Sequence, residues 1–87
     1  MATLAEELRG ARIVRRDALR GLTLAWYGGH GVHAYTDSGY EAAFWNVGDT
    51  AQDNASEAEV LDDMEDRIAT GEYPWAEGEP PADVRRF

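Results

Sequence analysis

Three segments between residues 22 and 47 alternate with a period of two, and short glycine-containing breaks separate them. Leu22, Leu24 and Trp26 alternate with Thr23, Ala25 and Tyr27, and Gly28-Gly29 ends the run. Val32, Ala34 and Thr36 alternate with His33 and Tyr35 up to the turn Asp37-Ser38-Gly39. Tyr40, Ala42 and Phe44 then alternate with Glu41, Ala43, Trp45 and Val47. Period two is the signature of a strand with one buried face, and connections this short join neighbours as hairpins. The pattern predicts a three-stranded antiparallel meander over about 22–47. One apolar face of such a sheet needs a cover.

A helix downstream supplies it. Ser56 and Glu59 have the spacing of a capping box, and Gly71 is placed to stop the helix. Val60, Leu61, Met64 and Ile68 fall on one stripe, whereas Glu59, Asp62, Asp63 and Asp66 take the opposite arc. Thr3 and Glu6 form a second capping-box pattern that predicts a short helix over about 4–9. Residues 11–20 are open between helix and strand, because Ile13-Val14 is too short a run to decide. The expected architecture is α+β, in the order (α)-β-β-β-α. Its core is Leu22, Leu24, Trp26, Phe44, Val60 or Leu61, Met64 and Ile68. Eighty-seven residues suffice for one domain, with its core within about 4–70. Residues 72–87 form a tail that packs by Tyr73 and Trp75 or ends in an edge strand at 83–87.

The chain has no cysteine, which excludes disulfides, thiolate metal sites and cysteine nucleophiles. Without a signal-like N-terminus or an apolar run of about 20 residues, the expectation is a soluble cytoplasmic protein with no membrane role. Its bases are all arginine, and net charge is −9. Residues 1–30 net +2 and residues 31–87 net −11, with eight acids and no base within 49–66. A nucleic-acid binder needs a cation surplus, so direct binding is disfavoured overall.

The chemical motifs are weak. His30 and His33 need a third metal ligand, such as Asp37 or Glu41, and an extended strand points i and i+3 to opposite faces. The loop from Asp49 to Ser56 fails the spacing of a calcium loop at its third, sixth and twelfth positions. Gly28-Gly29-His30-Gly31 joins two strands and opens no helix, so it is no phosphate cradle. Ser38 and Ser56 fall in a predicted turn and a predicted cap. The expectation is therefore a non-enzyme with no cofactor and no metal.

The acidic helix face is the sharper feature. Glu59, Asp62, Asp63 and Asp66 recur once per turn, ~5–6 Å apart along the axis, which is of the order of consecutive phosphates. Such a row suits a basic host protein, as in a phage or mobile-element inhibitor that mimics nucleic-acid charge. Tyr73 and Trp75 are possible tail anchors for a partner. The alternatives are a nucleic-acid-binding accessory protein using Arg9, Arg12, Arg15, Arg16 and Arg20, and an antitoxin-like partner-binding protein. The αβββα order is shared with double-stranded RNA-binding domains, but their final helix begins with bases, whereas this one begins Ser56-Glu57-Ala58-Glu59. Homo-oligomerisation through a bare sheet edge is also open.

Overall fold

The computed structural model describes residues 3–47 and 55–84. The elements are α1 (Leu4–Glu7), β1 (Ile13–Asp17), β2 (Leu22–Trp26), β3 (Gly31–Thr36), β4 (Glu41–Asn46) and α2 (Glu57–Thr70). The class is α+β, and the sheet has four strands in the order β1-β2-β3-β4, every neighbour antiparallel. The expected meander thus gains a strand. Residues 11–20 resolve into β1 and the turn that follows it.

The gain has a physical cause. As an edge strand, β1 pairs on one side only, with Ile13 opposite Trp26 and Asp17 opposite Leu22. With no strand beyond it among the described residues, Arg15 and Arg16 stay exposed and obscure the strand pattern, and charged edges are a usual guard against edge-to-edge association.

Two faces follow from the register. Leu22, Leu24 and Trp26 pair with Thr36, Ala34 and Val32, and Ala43 and Trp45 continue that face onto β4. Helix α2 covers it with Val60 and Met64, both fully buried, while Ile68 is partly buried at the rim. The Ser56 hydroxyl accepts from Glu59 N and the Glu59 carboxylate accepts from Ser56 N, which completes the capping box. Gly71 ends the helix in the left-handed region at φ +74°, the usual place for glycine.

The expected core needs one correction. Phe44 is 44% exposed, and Trp45 takes its place inside at 6%. Strand side chains alternate, and pairing Val32 with Trp45 commits Trp45 to the helix side and Phe44 to the other. On that second face the ring of Phe44 lies over Gly31, where any Cβ would stand 2.5 Å from Phe44 Cε2.

The tail packs on β4. Trp75 bridges antiparallel to Ala43, Ala76 N donates to Ala42 O at 2.9 Å, and Tyr73 is buried. Val84 is buried within a turn; the rest of the edge strand envisaged at 83–87 lies outside the described residues, as does most of the loop from Asp49. Among the described residues, no helix is long and apolar enough to cross a membrane.

Candidate functional site

On α2, the four acids of the expected interaction face divide. Glu59, Asp62 and Asp66 are exposed. Asp63 sits at the boundary of the buried stripe, where its carboxylate accepts from the Trp45 indole N–H and from Arg67 Nε at 3.3 Å. The Arg67 guanidinium lies 4.7 Å from the centroid of the Trp45 ring and donates to Glu72 O at 2.8 Å. Asp63 therefore clamps α2 to β4, and Glu65 pairs with Arg15 of β1 at 3.4 Å on the other side. The outward row is Glu59, Asp62 and Asp66.

Tyr73 and Trp75 are built into the fold. Their rings pack against each other and Tyr73 also packs on Trp45. The Tyr73 hydroxyl donates to Asp17 Oδ2 at 2.7 Å. Asp17 is fully buried, and its carboxylate also accepts from Arg20 Nη1 at 2.8 Å and Arg20 N at 3.2 Å. Arg20 Nη1 reaches on to Ile68 O at 3.0 Å. A buried charge is stable only when paired and hydrogen-bonded, and this cluster meets that condition at the junction of β1, α2 and the tail. Burial first, and then the Asp17 hydrogen bond, raise the Tyr73 pKa well above the ordinary tyrosine value.

The N-terminal arginines are likewise divided. Arg20 belongs to that buried cluster, Arg15 pairs with Glu65, and Arg16 donates to Asp37 at 2.8 Å and to Thr23 Oγ1 at 3.0 Å. Arg9 and Arg12 are exposed.

The second face of the sheet carries a site that the sequence pattern hides. Tyr27, His33, Tyr35 and Phe44 gather there: His33 stacks on Tyr35 at 5.9 Å and 5°, meets Tyr27 edge-on at 5.3 Å, and lies 4.9 Å from Phe44. The Tyr27 hydroxyl donates to Glu7 O, tying α1 over this face, and lies 3.2 Å from the Tyr35 hydroxyl.

A bulge then sets β4. Ala34 pairs with Ala43 but Tyr35 pairs with Glu41, so Ala42 is the extra residue. Regular alternation would turn Glu41 to the helix side together with Trp45. The bulge re-aims it to the second face, where its carboxylate meets His33 Nδ1.

Between α1 and the β3–β4 hairpin lies a cavity of about 640 Å³, lined by Glu7, His33, Tyr35, Tyr40 and Glu41 with Ser38 and Gly39. Burial first, then Tyr27, and then the charges of Glu41 and Glu7 raise the pKa of Tyr35 far above the usual value.

Ser38 Oγ is bonded to Thr36 Oγ1 at 2.8 Å and Ser56 serves its cap, so neither makes the contact with a histidine that an activated serine needs. The hairpin does bring Glu41 to His33, but His30 does not line that cavity. Among the described residues, no three histidine or carboxylate side chains converge as a metal site requires. Compared with protein-family models, with curated proteins and with solved structures, the chain gives no match in any of the three.

Proposed function

We propose that this chain is a small acidic, non-enzymatic interaction module that binds a basic protein through the outward arc of α2. The observation that carries the reading is the split among the helix acids. Glu59, Asp62 and Asp66 face solvent with no arginine among them, while Asp63 and Arg67 are turned in to hold Trp45. A capped helix held at both edges of the sheet presents its charges as a fixed row, and fixed charge loses little on binding.

One turn separates Asp62 from Asp66, about 5–6 Å along the axis, so the row suits a groove that accepts phosphates. A charge mimic of the kind found in phage-borne inhibitors is the form of the module that this spacing favours. The nucleic-acid-binding alternative has less support, since Arg15, Arg16 and Arg20 are each committed to an acid within the fold.

The test is capture from a host lysate at physiological salt, with and without competing duplex DNA. A basic protein retained by the native chain, displaced by DNA and lost on Glu59→Gln/Asp62→Asn/Asp66→Asn supports the proposal. A partner retained equally by that variant overturns it. A mobility shift of generic DNA by the chain alone, weakening steeply with salt, favours the arginine alternative instead.

A further inference from the structure

We infer that the cavity between α1 and the β3–β4 hairpin is a binding site for a guanidinium group, an arginine side chain presented by a partner protein. The inference is independent of the helix reading, because the cavity opens on the sheet face that α2 does not cover.

Three observations converge on it. First, the walls combine aromatic rings with carboxylates: His33, Tyr35 and Tyr40 stand beside Glu7 and Glu41, and among the described residues no arginine lines the cavity. A planar, weakly hydrated cation stacks on aromatic faces and takes carboxylates in a two-pronged hydrogen bond, and a guanidinium does both.

Second, the negative potential extends beyond the walls. The Glu77 side chain of the tail, foremost, and the charge of Asp83 raise the pKa of the Tyr40 hydroxyl above the ordinary tyrosine value.

Third, the site is shaped on purpose by the fold. The Ala42 bulge swings Glu41 out of the helix-facing register, and the His33 imidazole then fixes its carboxylate against the ring cluster. The size is right for a single side chain or a small ligand rather than a flat protein surface, since ligand cavities run from about 300 to 1,000 Å³. Tyr40, 44% exposed, would give the arriving side chain an apolar rim.

The experiment is a titration of isotope-labelled protein with N-acetyl-arginine amide, followed by amide shifts. N-acetyl-glutamate amide is the anionic control. An isolated ligand of this size should bind with a Kd on the order of 1 mM, and the contacts of a whole partner would tighten that. Expected are saturable shifts confined to residues 33–41 and to α1, with none from the glutamate compound. Glu7→Gln/Glu41→Gln should weaken binding by at least about tenfold while the spectrum stays dispersed. If that variant loses its dispersion, Tyr40→Ala replaces it, because an exposed ring is removable without unfolding the sheet, and binding should again weaken. Shifts that never saturate overturn the inference. So do shifts centred on Asp62 and Asp66 of α2, or an affinity that survives the substitutions.

Discussion

The Tyr73 hydroxyl meets the carboxylate of Asp17 at 2.7 Å, joining the first strand to a residue 56 positions later in the chain. Asp17 has no exposed surface, so this bond and the two from Arg20 replace water around it. Removing the hydroxyl alone, in Tyr73→Phe, should cost about 1.5–3 kcal/mol, the range for hydrogen bonds to charged groups. Asp17→Ala strands the buried Arg20 guanidinium and should cost about 3–5 kcal/mol, much of the roughly 5–15 kcal/mol available to a small domain. Urea denaturation should show lower midpoints with unchanged slopes.

The same tyrosine makes the fold sensitive to alkali. Burial and the Asp17 carboxylate raise the folded pKa of Tyr73, and burial and Tyr27 raise that of Tyr35. The unfolded chain releases these protons near pH ~10, while the folded chain retains them. With fewer protons on the unfolded state, stability is complete below that pH and falls above it, by up to about 1.4 kcal/mol per pH unit for each such group. Unfolding free energy measured between pH 8 and 11 should therefore turn down near pH ~10, and less steeply in Tyr73→Phe.

Two left-handed glycines separate strain from contact. Gly78 has φ +81° with open space where a Cβ would stand, and Gly71 has φ +74° with Arg20 Nη2 2.1 Å from that point. Gly78→Ala should cost only the backbone term, about 1–2 kcal/mol. Gly71→Ala should cost more, because Arg20 cannot retreat without leaving Asp17. Equal losses in parallel thermal melts would contradict this account of Arg20.

The register of β4 is testable by two neighbouring truncations. Trp45→Ala opens a cavity beneath α2 and frees Asp63 and Arg67, and should cost at least about 3 kcal/mol. Phe44→Ala removes a half-exposed ring and should cost about 1 kcal/mol or less. The reverse order would restore the alternation that places Phe44 in the core.

That pair also marks how far the sequence could be read. β2, β3 and α2 were legible because Leu22 to Trp26, Val32 to Thr36 and Val60 to Ile68 each carry a local period with local punctuation. β1 was not, although it pairs with the next strand, since two of its charged side chains find their partners far along the chain. Arg15 is matched by Glu65 and Asp17 by Tyr73, and no short window shows why a strand should carry those charges. The cavity was hidden for a related reason. His33 and Glu41 are both plain in the sequence, but a strict alternation puts Glu41 on the same face as Trp45, and only the unpaired Ala42 separates the two. The acidic row was legible as a pattern, while the inward turn of Asp63 depended on where Trp45 would stand.

Asp63 provides the control for the helix proposal. Asp62→Asn/Asp66→Asn should leave stability within about 0.5 kcal/mol, as exposed substitutions do. Asp63→Asn weakens the hold on Trp45 and Arg67 and should lower stability by about 1 kcal/mol while sparing partner capture. Chemical denaturation run beside the capture assay separates the two roles.

The tail contacts also dictate an order of events during synthesis. A ribosome makes the sheet strands first, then α2, and only then Tyr73, Trp75 and Ala76. Until those residues emerge, Asp17 lacks one of its donors, and Ala42 O on the outer edge of β4 lacks the amide that occupies it. The nascent chain can thus pair its strands early, but residues 73–76 are what seals the outer edge of β4.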